Sequence, residues 1–103
     1  MPKGYVIVTE AITDQAGMDA YGRAAAPSMA EAGARVLAVD ASPQVLEGQW
    51  HEGRTVLVEF PSVEAAQAWY ESAAYAEAKV LRLAAADCNG VLLAGFEMPP
   101  RQG

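Results

Sequence analysis

The chain has 103 residues, which is long enough for one domain with one modest core. Its formal net charge of −6 argues against nucleic acid and anionic membrane surfaces as partners, because both need clustered Lys and Arg. A single cysteine, Cys88, excludes an internal disulfide, and the reducing cytoplasm is the simplest compartment. We expect no signal peptide and no membrane span, because every apolar run is too short.

The first part of the chain predicts a strand, a helix and a second strand. Residues 4–11 are rich in Val, Ile and Tyr, which is typical of a strand. Asp14 is a suitable N-cap for a helix that runs to about Ala32, and Gly33 suits the position after the C-cap. Residues 34–40 predict the second strand.

The remaining chain predicts a third strand, a helix with one break and a fourth strand. Residues 54–60 are the clearest strand, and Ser62 is a suitable N-cap for the helix that follows. Ser72 is expected to interrupt and recap this helix, which then runs to about Asp87. Asn89 and Gly90 predict a turn before a last strand over residues 91–97.

This order predicts one α+β domain over residues 1–97, followed by a C-terminal tail over residues 98–103. The order β-α-β-β-α-β is the ferredoxin-like pattern, and right-handed crossovers place both helices on one face of an antiparallel sheet.

Both faces of that sheet are expected to carry large apolar side chains. Along the third strand, alternation places Val58 and Phe60 on one face and Leu57 and Glu59 on the other. In the second strand, Arg35, Leu37 and Val39 are expected to share one face. Because a solvent-facing sheet alternates more cleanly, we expect the second face to pack against another copy of the chain, as a homodimer.

Three segments carry a family resemblance: LEGQW at 46–50, RTVLVEFPSVEAAQAWYES at 54–72 and AYAEAKVLR at 74–82. They resemble the DUF1330 family of small bacterial proteins, and the resemblance extends over residues 4–95. It implies a ferredoxin-like subunit of the dimeric α+β barrel superfamily, in which two sheets pack face to face. The superfamily includes cofactor-independent monooxygenases, haem-degrading enzymes and small isomerases, whereas the family itself has no general assigned activity.

Two residues are candidate catalytic groups. Glu59 lies in an apolar strand, where a carboxylate needs a partner or its pKa rises, and either state suits an acid or base. The alternative role is an ion pair with Arg35 or Arg54. His51 follows Trp50 in a short loop and either transfers a proton or is an ordinary exposed histidine.

Four further residues are candidate ligand contacts. Arg35 is a polar anchor beside Glu59, and the walls of the site are assigned to Tyr21, Trp50 and Trp69, each of which otherwise fills the core or plugs the cavity.

Other patterns favour ordinary structural roles. Tyr75, Lys79 and Arg82 share one helical face, for which a solvated surface is favoured over a site for an anionic ligand. Cys88 is expected to end a helix, where a reactive thiolate is disfavoured. The single histidine excludes a multi-histidine metal site within one chain, and we predict no metal and no cofactor.

Three functions remain open. The first is a small cytoplasmic homodimer that binds a small, mostly apolar molecule beside the sheet. The second is a cofactor-independent monooxygenase or isomerase, in which Glu59 or His51 moves a proton. The third is a structural dimer without a ligand.

Overall fold

A computed structural model of the protein describes residues 2–97, which form four strands and three helices. In chain order these are β1 (Gly4–Ile12), α1 (Gln15–Glu31), β2 (Arg35–Asp40), β3 (Arg54–Phe60), α2 (Val63–Glu71), α3 (Ala73–Ala85) and β4 (Ala86–Ala94). The tail expected over residues 98–103 lies outside the described residues. None of the helices in the described part is long and apolar enough to cross a membrane.

The strands form one antiparallel sheet in the order β2-β3-β1-β4, which confirms the ferredoxin-like α+β fold. The helices cover one face of the sheet. Val6, Val58 and Phe60 point from the strands into a core that Trp69 and Tyr75 close from the helix side. The opposite face is called the open face below.

Local sequence signals set the starts of the three helices where they were expected, whereas α3 ends at Ala85, before the expected Asp87. The side chains of Asp14, Ser62 and Ser72 each accept a hydrogen bond from a backbone N–H in the first turn of the helix that follows. Ser72 also ends α2, so it separates α2 from α3 as predicted. Gly33 follows the C-cap of α1 with φ +74°, a conformation that glycine adopts without steric cost.

The predicted turn at Asn89 and Gly90 is wrong, because both residues lie within β4. The backbone becomes extended at Ala86, directly after α3, and β4 then pairs with β1 along all nine of its residues. Long-range pairing with β1 therefore overrides the local preference of Asn-Gly for a turn. Cys88, expected at a helix end, is half-buried in β4.

The face assignment predicted for the second strand is also wrong beyond Val36. A bulge between Val36 and Ala38 inserts one extra residue into β2 relative to β3. Past the bulge, Ala38 is paired with Leu57 of the open face and Val39 with Val56 of the helix-covered face. A single inserted residue reverses the alternation of all later side chains, so Val39 does not share the face of Arg35.

Candidate functional site

The open face presents three rows of side chains that run across the four strands. The two outer rows carry most of the polar groups and the middle row is apolar. From β2 to β4, the register gives a first row of Arg35, Glu59, Tyr5 and Leu93, a middle row of Ala38, Leu57, Ile7 and Val91, and a third row of Asp40, Thr55, Thr9 and Asn89.

Glu59 lies at the centre of a polar cluster in the first row. Lys3 Nζ donates to its Oε1 at 3.3 Å, and Tyr5 Oη donates to its Oε2 at 3.2 Å. Arg35 Nη1 lies 3.7 Å from the same Oε1, so the ion pair with Arg35 forms and one with Arg54 does not. The carboxylate is therefore tied to three neighbours although the Lys3 and Arg35 side chains are largely exposed.

These neighbours keep Glu59 ionised. Partial desolvation by itself would raise the pKa of the carboxyl. The hydrogen bonds from Lys3 and Tyr5, together with the charges of Lys3 and Arg35, outweigh desolvation and hold the pKa below its usual range. At neutral pH the group is thus an anion that accepts hydrogen bonds rather than a proton donor.

The loop between β2 and β3 folds over the third row. Trp50 Nε1 donates to Thr55 Oγ1 at 2.9 Å, and Asn89 Nδ2 lies 3.4 Å from His51 Nδ1. With the amide nitrogen as donor, Nδ1 accepts and a neutral His51 ring carries its proton on Nε2. Asn89 also donates to Thr9 Oγ1 at 3.1 Å. The loop is therefore connected to β3 through the Thr55 hydroxyl and to β4 through the Asn89 amide.

The structure brings four of the six predicted site residues to the open face, but it does not gather them into one pocket. Arg35 and Glu59 lie in the first row, whereas Trp50 and His51 lie against the third row. The two rows are four residues apart along β1, β3 and β4 and five apart along the bulged β2, which corresponds to roughly 13 Å.

Tyr21 and Trp69 lie on the helix-covered side of the sheet. Trp69 is 6% exposed, stacks 4.0 Å from Tyr75 between ring centroids and donates from Nε1 to Ser28 Oγ at 3.1 Å. Tyr21 Oη lies 2.9 Å from Tyr75 Oη. Burial, reinforced by this hydrogen bond, raises the pKa of Tyr21 far above its usual range, so its hydroxyl remains protonated.

A cavity of about 340 Å³ opens between the helix layer and the strands β1 and β4. Most of its wall is apolar and comes from Val6, Val8, Ala66, Leu83, Val91 and Leu92. The polar part of the wall comes from Gln67, Arg82 and Asn89, with the Cys88 thiol and the Tyr70 ring beside them. None of the six residues predicted from the sequence lies among the described residues that line this cavity.

Arg82 is the charged group in the wall of the cavity. It is 5% exposed, and its Nε donates to Tyr75 Oη at 3.3 Å. Burial by itself would lower the pKa of the guanidinium, but the hydrogen bond to Tyr75 and the neighbouring Cys88 outweigh that effect and raise it, so Arg82 remains charged. The solvated surface predicted for Tyr75 and Arg82 is therefore wrong.

A signal for this burial was present in the sequence. Tyr75, Ala78, Arg82 and Ala85 recur at the spacing of one helix face, and all four are buried. Because Ala78 and Ala85 lie on the same face as Tyr75 and Arg82, this face is the packed side of α3. Lys79 belongs to the neighbouring surface, where its Nζ lies 4.4 Å from the centre of the Tyr70 ring.

A second buried charge escaped prediction. Glu10 is 3% exposed and accepts two contacts at Oε1, from Arg54 Nε at 2.8 Å and from Arg54 Nη2 at 2.6 Å. The two residues are cross-strand partners in β1 and β3, on the helix-covered face. Arg54 borders an open groove that Tyr21 and the buried Met18 also line. In the part of the chain that the structure describes, no three His, Cys, Asp or Glu side chains cluster closely enough to hold a metal ion.

Comparison with solved structures supports the fold. The chain is similar to a protein of unknown function from Rhodopseudomonas palustris, with 21% identity and a TM-score of 0.77 over 94% of this chain and 85% of that one. It is also similar to SnoaB, a cofactor-independent oxygenase from Streptomyces nogalater, with 9% identity and a TM-score of 0.64 over 98% of this chain and 100% of that one.

A third similar structure is a dimeric protein of unknown function with a ferredoxin-like fold from Bacteroides fragilis. It shares 13% identity and a TM-score of 0.61 over 89% of this chain and 95% of that one. At such identities the likeness shows a shared fold and carries no activity from one protein to another.

No curated protein matches the chain. The family model DUF1330, a domain of unknown function, matches residues 3–96. This match covers nearly the whole domain and agrees with the resemblance of the strand and helix segments described above. The chain therefore belongs to the DUF1330 family.

Proposed function

We propose that the protein is a cytoplasmic homodimer that binds a small, mostly apolar molecule in the cavity between the helix layer and β4, with residues 1–97 acting as one domain. The cavity carries this proposal. Its volume of about 340 Å³ lies within the size range of small-molecule sites, roughly 300 to 1,000 Å³. Its wall combines apolar side chains with a few polar groups, which is the usual composition of such a site.

The open face supports the dimer. Its middle row is apolar, and Val91 and Leu93 at the β4 edge are 53% and 46% exposed. A sheet face of this composition is stabilised when a second sheet covers it. The similar proteins from Bacteroides fragilis and Thermobifida fusca are described as dimeric and ferredoxin-like, and the same assembly suits this chain. The single free cysteine agrees with a reducing compartment.

Filling the cavity tests the ligand proposal. A Cβ added at Gly90 would meet no atom closer than 3.8 Å, so Gly90→Leu should fold and place its side chain in the cavity. We expect this variant to lose binding of a panel of six probes: phenylacetate, 1-naphthoate and octanoate, and the three corresponding amides. Binding is measured by two-dimensional NMR titration of the labelled protein.

Gly22→Leu is the matched control, because a Cβ at Gly22 in α1 meets no atom within 4 Å and adds the same side chain outside the cavity. This variant should bind the probes as the wild type does. If no probe binds the wild type, or if Gly90→Leu binds as well as the wild type, the cavity is not a ligand site. A structural dimer without a ligand is then the better description.

An enzymatic alternative is supported by the position of His51. Its Nδ1 lies 3.4 Å from Asn89 Nδ2, and the Asn89 side chain belongs to the third row, so the ring stands on the open face rather than in the cavity. Glu59 is the other candidate base, and its lowered pKa keeps it ionised. Either residue would move a proton of a molecule bound on the open face, without a cofactor.

Exchange of acidic C–H hydrogens of a bound probe for deuterium separates the enzyme from the binder. Phenylacetamide in D₂O is followed by NMR with the wild type, His51→Asn and Glu59→Gln. An enzyme should accelerate the exchange, and one substitution should abolish that acceleration while the probe still binds. Exchange at the same rate with and without the wild-type protein would exclude proton abstraction from this probe.

A further inference from the structure

Arg82 is an enclosed cation to which residues 2–97 supply no carboxylate partner. Of its nitrogen donors, Nε donates to Tyr75 Oη at 3.3 Å. Its two Nη nitrogens have no oxygen acceptor among the described residues. The Cys88 thiol is a neighbour of the guanidinium, and the centre of the Tyr21 ring lies 5.9 Å from Cζ. Charges that lose contact with water are normally paired, because an unpaired buried charge is costly.

The acidic side chains that form ion pairs in the described part of the chain are bound to other cations. Glu10 is paired with Arg54, and Glu59 is paired with Lys3 and Arg35 on the other face of the sheet. Within residues 2–97, no carboxylate lies within 4 Å of the Arg82 guanidinium. The chain as a whole has 13 acidic residues and seven basic ones. In so acidic a chain, a buried arginine without a carboxylate beside it is unexpected.

The cavity supplies the space in which a partner for Arg82 would lie. The guanidinium forms part of its wall, and none of the described residues in that wall is acidic. All enclosed side-chain nitrogens and oxygens in the described part of the chain have hydrogen-bond partners. The Nη donors, which have no oxygen acceptor, must therefore reach accessible space, and the cavity is the space that Arg82 lines. Lys79, above the Tyr70 ring of the same wall, adds a second positive charge nearby.

We propose that the ligand is a small organic acid, whose carboxylate binds the Arg82 guanidinium while its apolar body occupies the cavity beside Val6, Val8 and Leu92. This inference rests on the proposed function, because it requires the cavity to be the binding site. A planar guanidinium with two free Nη groups matches a carboxylate in a two-pronged, charge-assisted contact. An uncharged amide of the same shape cannot neutralise the cation.

Matched acid and amide probes test the charge requirement directly. Phenylacetate, 1-naphthoate and octanoate are each compared with their amides by NMR titration. We expect at least one acid to bind the wild type about tenfold or more tightly than its amide, because charge-assisted hydrogen bonds are about twice as strong as neutral ones. The Nε–H resonance of Arg82 should shift on titration with the acid.

Two variants of Arg82 and one control variant test whether the guanidinium itself binds the carboxylate of the ligand. Arg82→Met keeps the length of the side chain and removes the charge, and Arg82→Lys keeps the charge and loses the fork. The first should abolish the preference for the acid while amide binding persists, and the second should retain part of the preference. Arg23→Met makes the same charge change at an exposed position in α1 and should keep the preference within about threefold.

The possible outcomes distinguish this inference from the function on which it rests. If no probe binds the wild type, the ligand site itself fails. If acids and amides bind the wild type equally well, the site stands and the anionic ligand is overturned. An acid preference that survives Arg82→Met would also overturn it. If Arg82→Met does not fold, Arg82→Lys and the Arg82 resonance test the proposal instead. A full acid preference in Arg82→Lys together with no shift of the Arg82 resonance would overturn it.

Discussion

The two faces of the sheet each hold a glutamate beside an arginine, yet the two pairs lie in different surroundings. On the helix-covered face, the Glu10 side chain is 3% exposed and receives two short contacts from Arg54. On the open face, the Glu59 side chain is 13% exposed and Arg35, 3.7 Å away, is largely in solvent. The Glu10–Arg54 pair is therefore part of the packed interior. The Glu59–Arg35 pair lies at a surface where its side chains can still rearrange around a partner.

The largest effect is expected where the helix-covered face is most tightly packed. Phe60 is fully buried and its ring centroid lies 5.1 Å from that of Trp69. Phe60→Ala should lower the free energy of unfolding by about 3 to 5 kcal/mol, measured by urea denaturation, because it removes buried apolar surface and leaves a cavity. Val36→Ala, at a position that is 53% exposed, is the control and should cost less than about 1 kcal/mol.

A charge placed in the middle row of the open face should break the proposed dimer. Leu57→Lys is expected to weaken dimerisation by about 100-fold or more, because the buried centre of an interface excludes unpaired charges. Sedimentation equilibrium over a concentration series measures the change. Val80→Lys, at an exposed site in α3, should leave assembly unchanged. A wild type that remains monomeric at micromolar concentration would contradict the dimer.

The buried Glu10–Arg54 pair is expected to contribute more to stability than the more exposed Glu59–Arg35 pair. Glu10→Gln should lower the free energy of unfolding by about 1.5 to 3 kcal/mol, because Arg54 loses its charged acceptor, the nearly enclosed Glu10 carboxylate. Urea denaturation at neutral pH provides the measurement. The partial exposure of Arg54 limits the loss. A loss below about 0.5 kcal/mol would mean that water replaces the carboxylate without cost.

The smallest effect is expected for Glu59→Gln, and it should depend on pH. Because the folded-state pKa of Glu59 lies below its ordinary value of 4.5, the carboxylate contributes to stability above that value. The contribution is lost as the pH falls through the lowered pKa. The urea midpoints of the wild type and Glu59→Gln should therefore differ slightly at pH 7 and converge at low pH. Added salt should reduce the difference at pH 7, since Lys3 and Arg35 are exposed.

The sequence was sufficient to predict a structural element where the signal for it is local. Ser62 and Ser72 cap helices at the positions expected for them, and the third strand has the predicted bounds, because a cap or an apolar alternation depends on a few neighbouring residues. It was insufficient at Asn89 and Gly90, whose turn preference gave way to pairing with β1. It was also insufficient at the bulge in β2, which depends on the partner strand.

The sequence by itself determined the family, the order of the elements and the helix-covered core, since these follow from residue patterns along the chain. Only the tertiary structure decided that Arg82 is enclosed beside a cavity and that Glu10 pairs with Arg54. It also separated Glu59 from Trp69, which lie on opposite faces of the sheet. The physical reason is that burial and charge pairing depend on residues distant in the chain, which meet only after β4 and α3 have packed.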